Sequence, residues 1–133
     1  YSALGGAGIS ALLARVSAAR NSGLIEAGIS IDALGGKVSD VAPGATAFVH
    51  RRALATVQYT ATYRGNGAAK AQAFVSATRA AMTPFWGQHA YVNYADASIK
   101  NPAAAYFGAN APRLARASKS YDPHGLFSQP QGY

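Results

Sequence analysis

Ile9, Leu12, Leu13 and Val16 recur at the i, i+3, i+4, i+7 spacing of one helix face and predict a helix over residues 9–20. Arg15 and Arg20 fall off that stripe, and Gly23 follows as a residue able to take a left-handed stop. From residue 24 to 33 the period changes to two. Ile25, Ala27, Ile29 and Ile31 alternate with Glu26, Gly28 and Ser30, as in a half-buried strand. Gly35-Gly36 ends it, residues 37–41 are expected to return as a short paired strand, and Pro43-Gly44 marks a turn. Residues 53–63 alternate most clearly: Ala55, Val57, Tyr59, Ala61 and Tyr63 share one face, and Leu54, Thr56, Gln58, Thr60 and Thr62 the other. A row of uncharged polar groups suits a solvated sheet face and equally suits a surface that lines a ligand.

After the turn Gly65-Asn66-Gly67, residues 68–82 predict a helix with Phe74, Val75, Thr78 and Met82 on one side and Lys70 and Arg79 away from it. Pro84 is expected to close it. Residues 47–50 and 90–94 read as short extended runs. Pro102–Phe107 predicts a short helix with Pro in its first turn. Asn110 is placed to cap a second one over residues 111–120, with Leu114, Ala117 and Tyr121 on its buried side. The tail after Asp122-Pro123 has turn composition. The order predicts an α+β fold: an antiparallel sheet with helices on one face, followed by an irregular C-terminal segment with short helices. That second half is poor in aliphatic residues and needs another surface to lie on.

Composition narrows the function classes. The 133 residues are 50% apolar and 13% charged, with a formal net charge of +7 and no cysteine. Such an apolar fraction argues against disorder, and no apolar run is long enough for a membrane span. Disulfides, thiolate metal sites and a cysteine nucleophile are excluded. A charged fraction of 13% is low beside the roughly 25–35% of a typical soluble surface. Together with Tyr1 in the place of an initiator Met, it leads us to expect a processed chain or a piece of a larger protein. Three His and five acids show no metal-binding spacing, and neither a GxSxG elbow nor a phosphate loop occurs. The basic balance fits nucleic-acid binding, an acidic remainder of a parent protein, or solubility. The cations are scattered from Arg15 to Lys119, which makes nucleic acid the weakest of the three.

The C-terminal run is specific: Tyr91-Val-Asn93-Tyr94-Ala-Asp96, then Ala105-Tyr106-Phe107-Gly108-Ala-Asn110, Arg113-Leu114, Lys119, Tyr121-Asp122-Pro123, Phe127 and Pro130-Gln131. It resembles the C-terminal signature of the berberine bridge enzyme-like family of FAD-linked oxidoreductases, within the vanillyl-alcohol-oxidase-type flavoproteins. Upstream, Leu34-Gly35-Gly36-Lys37-Val38 and Thr46-Ala47-Phe48-Val49-His50-Arg51 are similar to that family's GG strand turn and T-A-F-P-H-R segment, and Val57-Gln58-Tyr59 to its substrate-domain strand. Val49 stands where the family usually has Pro, Ser98 where a second acid is common, and Phe107 where Tyr is frequent.

The resemblance implies residues 1–88 as the C-terminal part of a substrate-binding domain, and residues 89–133 as a segment that packs on an FAD-binding domain outside this chain. That domain would hold most of the FAD. The family's reaction is hydride transfer from a substrate C–H, usually at an alcohol or sugar carbon, to the flavin. The resemblance places Gln58 and Thr60 at the small-molecule substrate, although neither is a good general base at neutral pH. It places Tyr91 and Tyr94 in catalytic positions, and Asn93 and Tyr94 at the cofactor, where Asn93 offers both a donor and an acceptor. A phenol takes a proton at neutral pH only when its pKa falls well below about 10. The alternative for Tyr91 and Tyr94 is interface packing. Arg51 is expected to pair with Asp96 or Asp122, and Asp122 to bond local backbone. Arg113, Arg116 and Lys119 are expected on a solvated helix face. The chain thus reads as the C-terminal portion of an FAD-dependent oxidoreductase, inactive alone. The alternative is a stand-alone α+β binding module without flavin.

Overall fold

The computed structural model describes residues 3–131. It divides into two compact units, one taking in the chain up to Leu34 together with Leu54–Gly87, the other Gly35–Ala53 and the chain from Gln88 onward.

The first unit holds α1 (Gly6–Arg20), β1 (Glu26–Ala33), β2 (Ala55–Thr62) and α2 (Ala68–Trp86). The strands pair antiparallel, Glu26 opposite Thr62 through Ala33 opposite Ala55. The helices pack on each other, α1 on β1 and α2 on β2. The α+β class with an antiparallel sheet is therefore observed, with two strands among the described residues.

The α1 helix forms where the periodicity predicts it, but turns the other way. Ile9, Leu13 and Val16 are 47%, 60% and 42% exposed. Gly8 is buried instead, and a Cβ added there would meet Leu4 Cδ2 at 2.8 Å and Phe85 Cδ1 at 3.2 Å. The missing side chain lets α1 approach the end of α2. Arg15 also faces α2. Its Nε donates to Thr78 Oγ1 at 3.1 Å, and its guanidinium lies over the Phe74 ring, 5.5 Å from the centroid. Backbone proximity and one guanidinium contact thus win over the aliphatic stripe.

Ala71, Phe74, Thr78 and Met82 of α2 are buried and form the centre of this unit. The Thr78 hydroxyl donates to Phe74 O at 2.8 Å, so its burial leaves no bare oxygen. Contrary to expectation, Pro84 does not end α2. It falls in the last turn, so the i−4 bond it lacks is lost near the helix end and not in its middle. Gly87, at φ 75°, ends the helix and donates to Thr83 O at 2.8 Å.

The second unit holds α3 (Pro102–Phe107), α4 (Ala111–Tyr121) and short 3₁₀ turns at Gly36–Val38 and Gly108–Asn110. The strand expected over residues 37–41 is that first 3₁₀ turn. Gly35 and Gly36 have φ 147° and 54°, which bends the chain so that Val38 and Ser39 donate back to Gly35 O and Gly36 O. Residues 47–50 and 90–94 are irregular rather than extended. Ala90 N donates to Ala105 O at 3.0 Å, and Tyr94 N to Tyr91 O at 3.0 Å in a turn.

Ala105, Tyr106 and Phe107 of α3 are buried, and Asn101 caps the helix by accepting from Ala104 N at 3.2 Å. Asn110 does not cap α4. Its Nδ2 donates to Pro43 O at 2.7 Å and Thr46 O at 2.9 Å, tying down the loop between residues 43 and 46. Ala117 and Tyr121, expected on the buried side of α4, are exposed, Tyr121 at 91%; within this unit α3 and the 3₁₀ turn at Gly108–Asn110 are the elements that pack on α4. Among the described residues, no helix is long and apolar enough to cross a membrane.

Candidate functional site

Strand pairing decides which side chains share a face, because directly opposed residues point to the same side. The register puts Glu26, Gly28, Ser30 and Asp32 of β1 beside Thr62, Thr60, Gln58 and Thr56 of β2. The bond from Thr62 Oγ1 to Glu26 Oε2, 3.2 Å, lies on this face. The opposite face carries Tyr59 and Ala61. Burial pushes the Tyr59 phenol up to about 12, against the opposing pull of Arg79 on α2. Ala61 lines a shallow hollow with Tyr63, Ala68, Ala71, Gln72 and Val75. The helices therefore cover the Tyr59 side, and Gln58 and Thr60 stand together on the other. A Cβ at Gly28 would lie 3.7 Å from Thr60 Oγ1, so its absence leaves a notch beside that hydroxyl. Gln58 is half-buried and Thr60 exposed. Ser30 and Asp32 belong to the same face, but sequence alternation within one strand could not show which β1 residues oppose Gln58.

In the second unit, Tyr91, Asn93 and Tyr94 come together around the turn closed by Tyr94 N and Tyr91 O. Asn93 Nδ2 donates to Tyr91 Oη at 2.7 Å. The Tyr91 and Tyr94 rings meet edge to face at 5.5 Å, and Tyr91 also meets Phe48 edge to face at 5.8 Å. Asn93 is exposed and Tyr94 is 59% exposed. Tyr91 is thus held by contacts with two rings, and Asn93 and Tyr94 face solvent.

The ground beneath this loop is polar and specific. Tyr106 is 2% exposed. Its hydroxyl accepts from Asp96 N at 2.9 Å and donates to Gln131 Oε1 at 2.9 Å, and Gln131 Nε2 donates to Asp96 O at 2.8 Å. This closed ring of bonds joins the Tyr91 motif, α3 and the C-terminal tail. Asp96 Oδ1 also accepts from Ser98 N and Oγ at 2.9 and 2.6 Å. His50 is buried, its ring 5.4 Å from that of His89. Burial, and then the neighbouring His89, lower the His50 pKa below its ordinary 6.5, while hydrogen bonds to the backbone of Ala90, Ala105 and Tyr106 pull the other way.

Arg51 does not reach Asp96 or Asp122. Its guanidinium turns into its own loop, bonding Phe48 O at 3.2 Å and Thr46 Oγ1 at 2.7 Å and lying 5.0 Å from the Phe48 ring centroid. A short loop places these acceptors nearer than either carboxylate. Asp122 does bond local backbone, accepting from Leu126 N at 2.8 Å and Phe127 N at 2.9 Å. Arg113 and Arg116 lie exposed on α4, as does Lys119, and Arg113 Nη1 reaches Gly44 O at 3.1 Å. Among the described residues, no group of three or more His, Cys, Asp or Glu is placed to hold a metal ion.

Comparison with known proteins adds a family to this geometry. Residues 90–132 match the family model described as berberine and berberine like. Berberine bridge enzyme-like 1 of Arabidopsis thaliana is 32% identical over 123 residues, 78% of this chain and 23% of that protein. An uncharacterized FAD-linked oxidoreductase of Bacillus subtilis (strain 168), YvdP, is 35% identical over 98 residues, 73% of this chain and 22% of that protein. Among solved structures, a variant of Physcomitrella patens BBE-like 1 matches with a TM-score of 0.86 and 28% identity, covering 97% of this chain and 27% of that one. A glycopeptide hexose oxidase complexed with teicoplanin matches with a TM-score of 0.83 and 26% identity, covering 95% and 29%. The chain spans about a quarter of the length of the curated relatives it matches.

Proposed function

We propose that this chain, which belongs with the berberine bridge enzyme-like family of FAD-linked oxidoreductases, is the C-terminal part of an FAD-dependent enzyme and is inactive alone. That enzyme would oxidise an alcohol or sugar C–OH, or a related C–H. In this reading residues 1–88 are the end of the substrate-binding domain, and residues 89–133 pack on an FAD-binding domain of the same parent protein. The observation that carries the proposal is the sheet face with Gln58 and Thr60: polar at every register position except Gly28, and turned away from both helices.

The residues present fit one part of the cofactor. Asn93 presents an exposed amide and Tyr94 an exposed phenol, donor and acceptor groups that suit the polar edge of a flavin ring. The glycine pattern holds no phosphate loop, so the rest of FAD falls to the partner domain. When bound, FAD supplies the acceptor for a hydride from the substrate carbon.

The chain's own groups bind and orient. Gln58 and Thr60 hydrogen-bond the substrate, and neither takes its proton. The Tyr91 oxygen already accepts from Asn93, so its O–H proton remains to be donated. The contacts with the Phe48 and Tyr94 rings limit the motion of the Tyr91 ring. Tyr91 and Tyr94 are assigned as the catalytic pair, Asn93 and Tyr94 as the cofactor contacts.

The test is made in the parent protein. Gln58→Ala and Tyr91→Phe should each lower turnover at least tenfold while flavin content, read from the visible absorbance, stays within about 20% of the wild type. Unchanged steady-state kinetics in both variants would remove these residues from the site. A 133-residue chain that purifies yellow and turns over by itself would overturn the claim that it is inactive alone. A chain that binds no FAD in any context would mark it as a binding module.

A further inference from the structure

We propose that Gln131 is a positioning residue for the turn that carries Tyr91, Asn93 and Tyr94, acting through Tyr106 and Asp96. The inference rests on the catalytic reading of Tyr91 above and adds the C-terminal tail to that site.

The turn stands on two feet, and both rest on α3. At one foot, Ala90 N donates to Ala105 O at 3.0 Å. At the other, Asp96 N donates to the Tyr106 hydroxyl at 2.9 Å. Ala105 and Tyr106 are adjacent and both buried, so residues 91–95 form a loop whose ends are held at neighbouring points of one helix. The feet differ in kind. The first is a bond between backbone groups. The second runs through a side chain: the Tyr106 oxygen turns a lone pair to Asp96 N and must send its proton elsewhere. Gln131 Oε1 takes that proton at 2.9 Å. Gln131 Nε2 then donates to Asp96 O at 2.8 Å, beside the bond that the same oxygen accepts from Ile99 N at 3.1 Å. One amide thus sets the direction of the Tyr106 hydroxyl and ties down Asp96 on its carbonyl side.

Burial sets this contact apart from the rest of the tail. Residues 123–130 are exposed, Leu126 and Phe127 at 80% and 88%, whereas Gln131 is half-buried. A tail returned by the hydrophobic effect would bury an apolar side chain where it lands. This one buries an amide instead, and matches its donor and its acceptor to groups 35 and 25 residues back in the chain. Loss of that amide frees the second foot. The Tyr106 hydroxyl, buried as it is, is left with a proton and no acceptor, and any rotation that serves the proton withdraws the lone pair from Asp96 N. The turn keeps its first foot and gains freedom at Asp96, two residues from Tyr94. Catalysis by a positioned group falls steeply with small displacements, so turnover suffers, while the substrate contacts assigned to Gln58 and Thr60 belong to the other unit.

The experiment uses the flavin-loaded parent protein, with steady-state kinetics expressed per bound flavin and amide exchange followed by mass spectrometry. Gln131→Leu should lower kcat about tenfold and leave KM within about twofold. Exchange over residues 91–96 should quicken about fivefold, while α3 keeps its protection and so reports an intact fold. Adding Gln131→Leu to Tyr106→Phe should lower kcat by no more than about twofold beyond Tyr106→Phe alone, since both break one bonded ring. Unchanged exchange over residues 91–96, a rise in KM at constant kcat, or additive losses in the double variant would overturn the proposal and leave the reading of Tyr91 standing. So would faster exchange at constant kcat, provided that Tyr91→Phe still lowers kcat. An unchanged kcat in both Gln131→Leu and Tyr91→Phe would overturn both.

Discussion

The two units solve the same problem by different means. In the first, regular backbone pairing satisfies most polar groups, and a short row of buried side chains on α2 supplies the packing. In the second, side chains do much of what backbone does in the first. The Tyr106 hydroxyl, the Gln131 and Asn110 amides, the Arg51 guanidinium and the Asp122 carboxylate all bond main-chain groups, or one another, some within a loop and some between segments distant in sequence. The contrast explains why each unit offers a different surface. A paired sheet exposes a flat ladder of side chains, whereas a web of side-chain bonds can hold an exposed turn such as Tyr91–Asn93–Tyr94 still. Regular structure presents many equivalent positions; irregular structure presents a few at fixed angles.

Several measurements would break or sharpen that contrast. The largest effect should come from Met82→Ala, since Met82 is fully buried. Truncation should cost about 2–5 kcal/mol and strip hydrogen-exchange protection from α2 and the sheet first. Equal loss at α3 would dissolve the distinction between the units. Tyr106→Phe comes next. It leaves Asp96 N without its acceptor and Gln131 Oε1 without its donor, and should cost about 1–3 kcal/mol, with faster exchange at the Asp96 amide. A change below about 0.5 kcal/mol would show that the bonded ring is not what holds the second unit.

Acidification should follow in size. The folded pKa of His50 lies below its unfolded value near 6.5, so the unfolded chain binds the proton more readily. Stability is therefore fully present above that value and is lost as pH falls through the lowered folded pKa. Exchange at Ala90 and Ala105 should accelerate below pH 6.5 while the β1–β2 amides hold, and His50→Gln should flatten the response. A flat profile in the wild type would contradict the burial of a neutral imidazole. The smallest change should come from Leu13→Gln. Its side chain is 60% exposed, and denaturant midpoints should shift by no more than about 0.5 kcal/mol in the isolated chain. A larger loss would restore the aliphatic stripe to the core.

The sequence by itself determined the elements and much of the family. Period-two and helical spacings located β1, β2 and α2 because local geometry forces those periods on any chain that buries one face, and the helical spacing located α1 although its aliphatic stripe is exposed. The ordered motifs from Tyr91 to Gln131 pointed to the berberine bridge enzyme-like family because several fixed spacings coincide. Asn101 at α3 and Asp122 after α4 also act locally, within four or five residues, and their bonding could be anticipated or rationalised from spacing alone.

Tertiary structure decided the rest. The inward face of α1 was set by Gly8 and Arg15 meeting Phe85, Phe74 and Thr78, 59 to 77 residues away in sequence. Asn110 left its capping position for Pro43 and Thr46 on a distant loop, and Arg51 turned from distant carboxylates to the near Phe48 carbonyl and Thr46 hydroxyl. Above all, the register of β1 on β2 placed Ser30 and Asp32 beside Gln58 and Thr56. Periodicity says which residues of a strand share a face. Only the pairing of two strands says which residues stand across from one another, since sliding the register changes every neighbour while leaving each strand's own pattern intact.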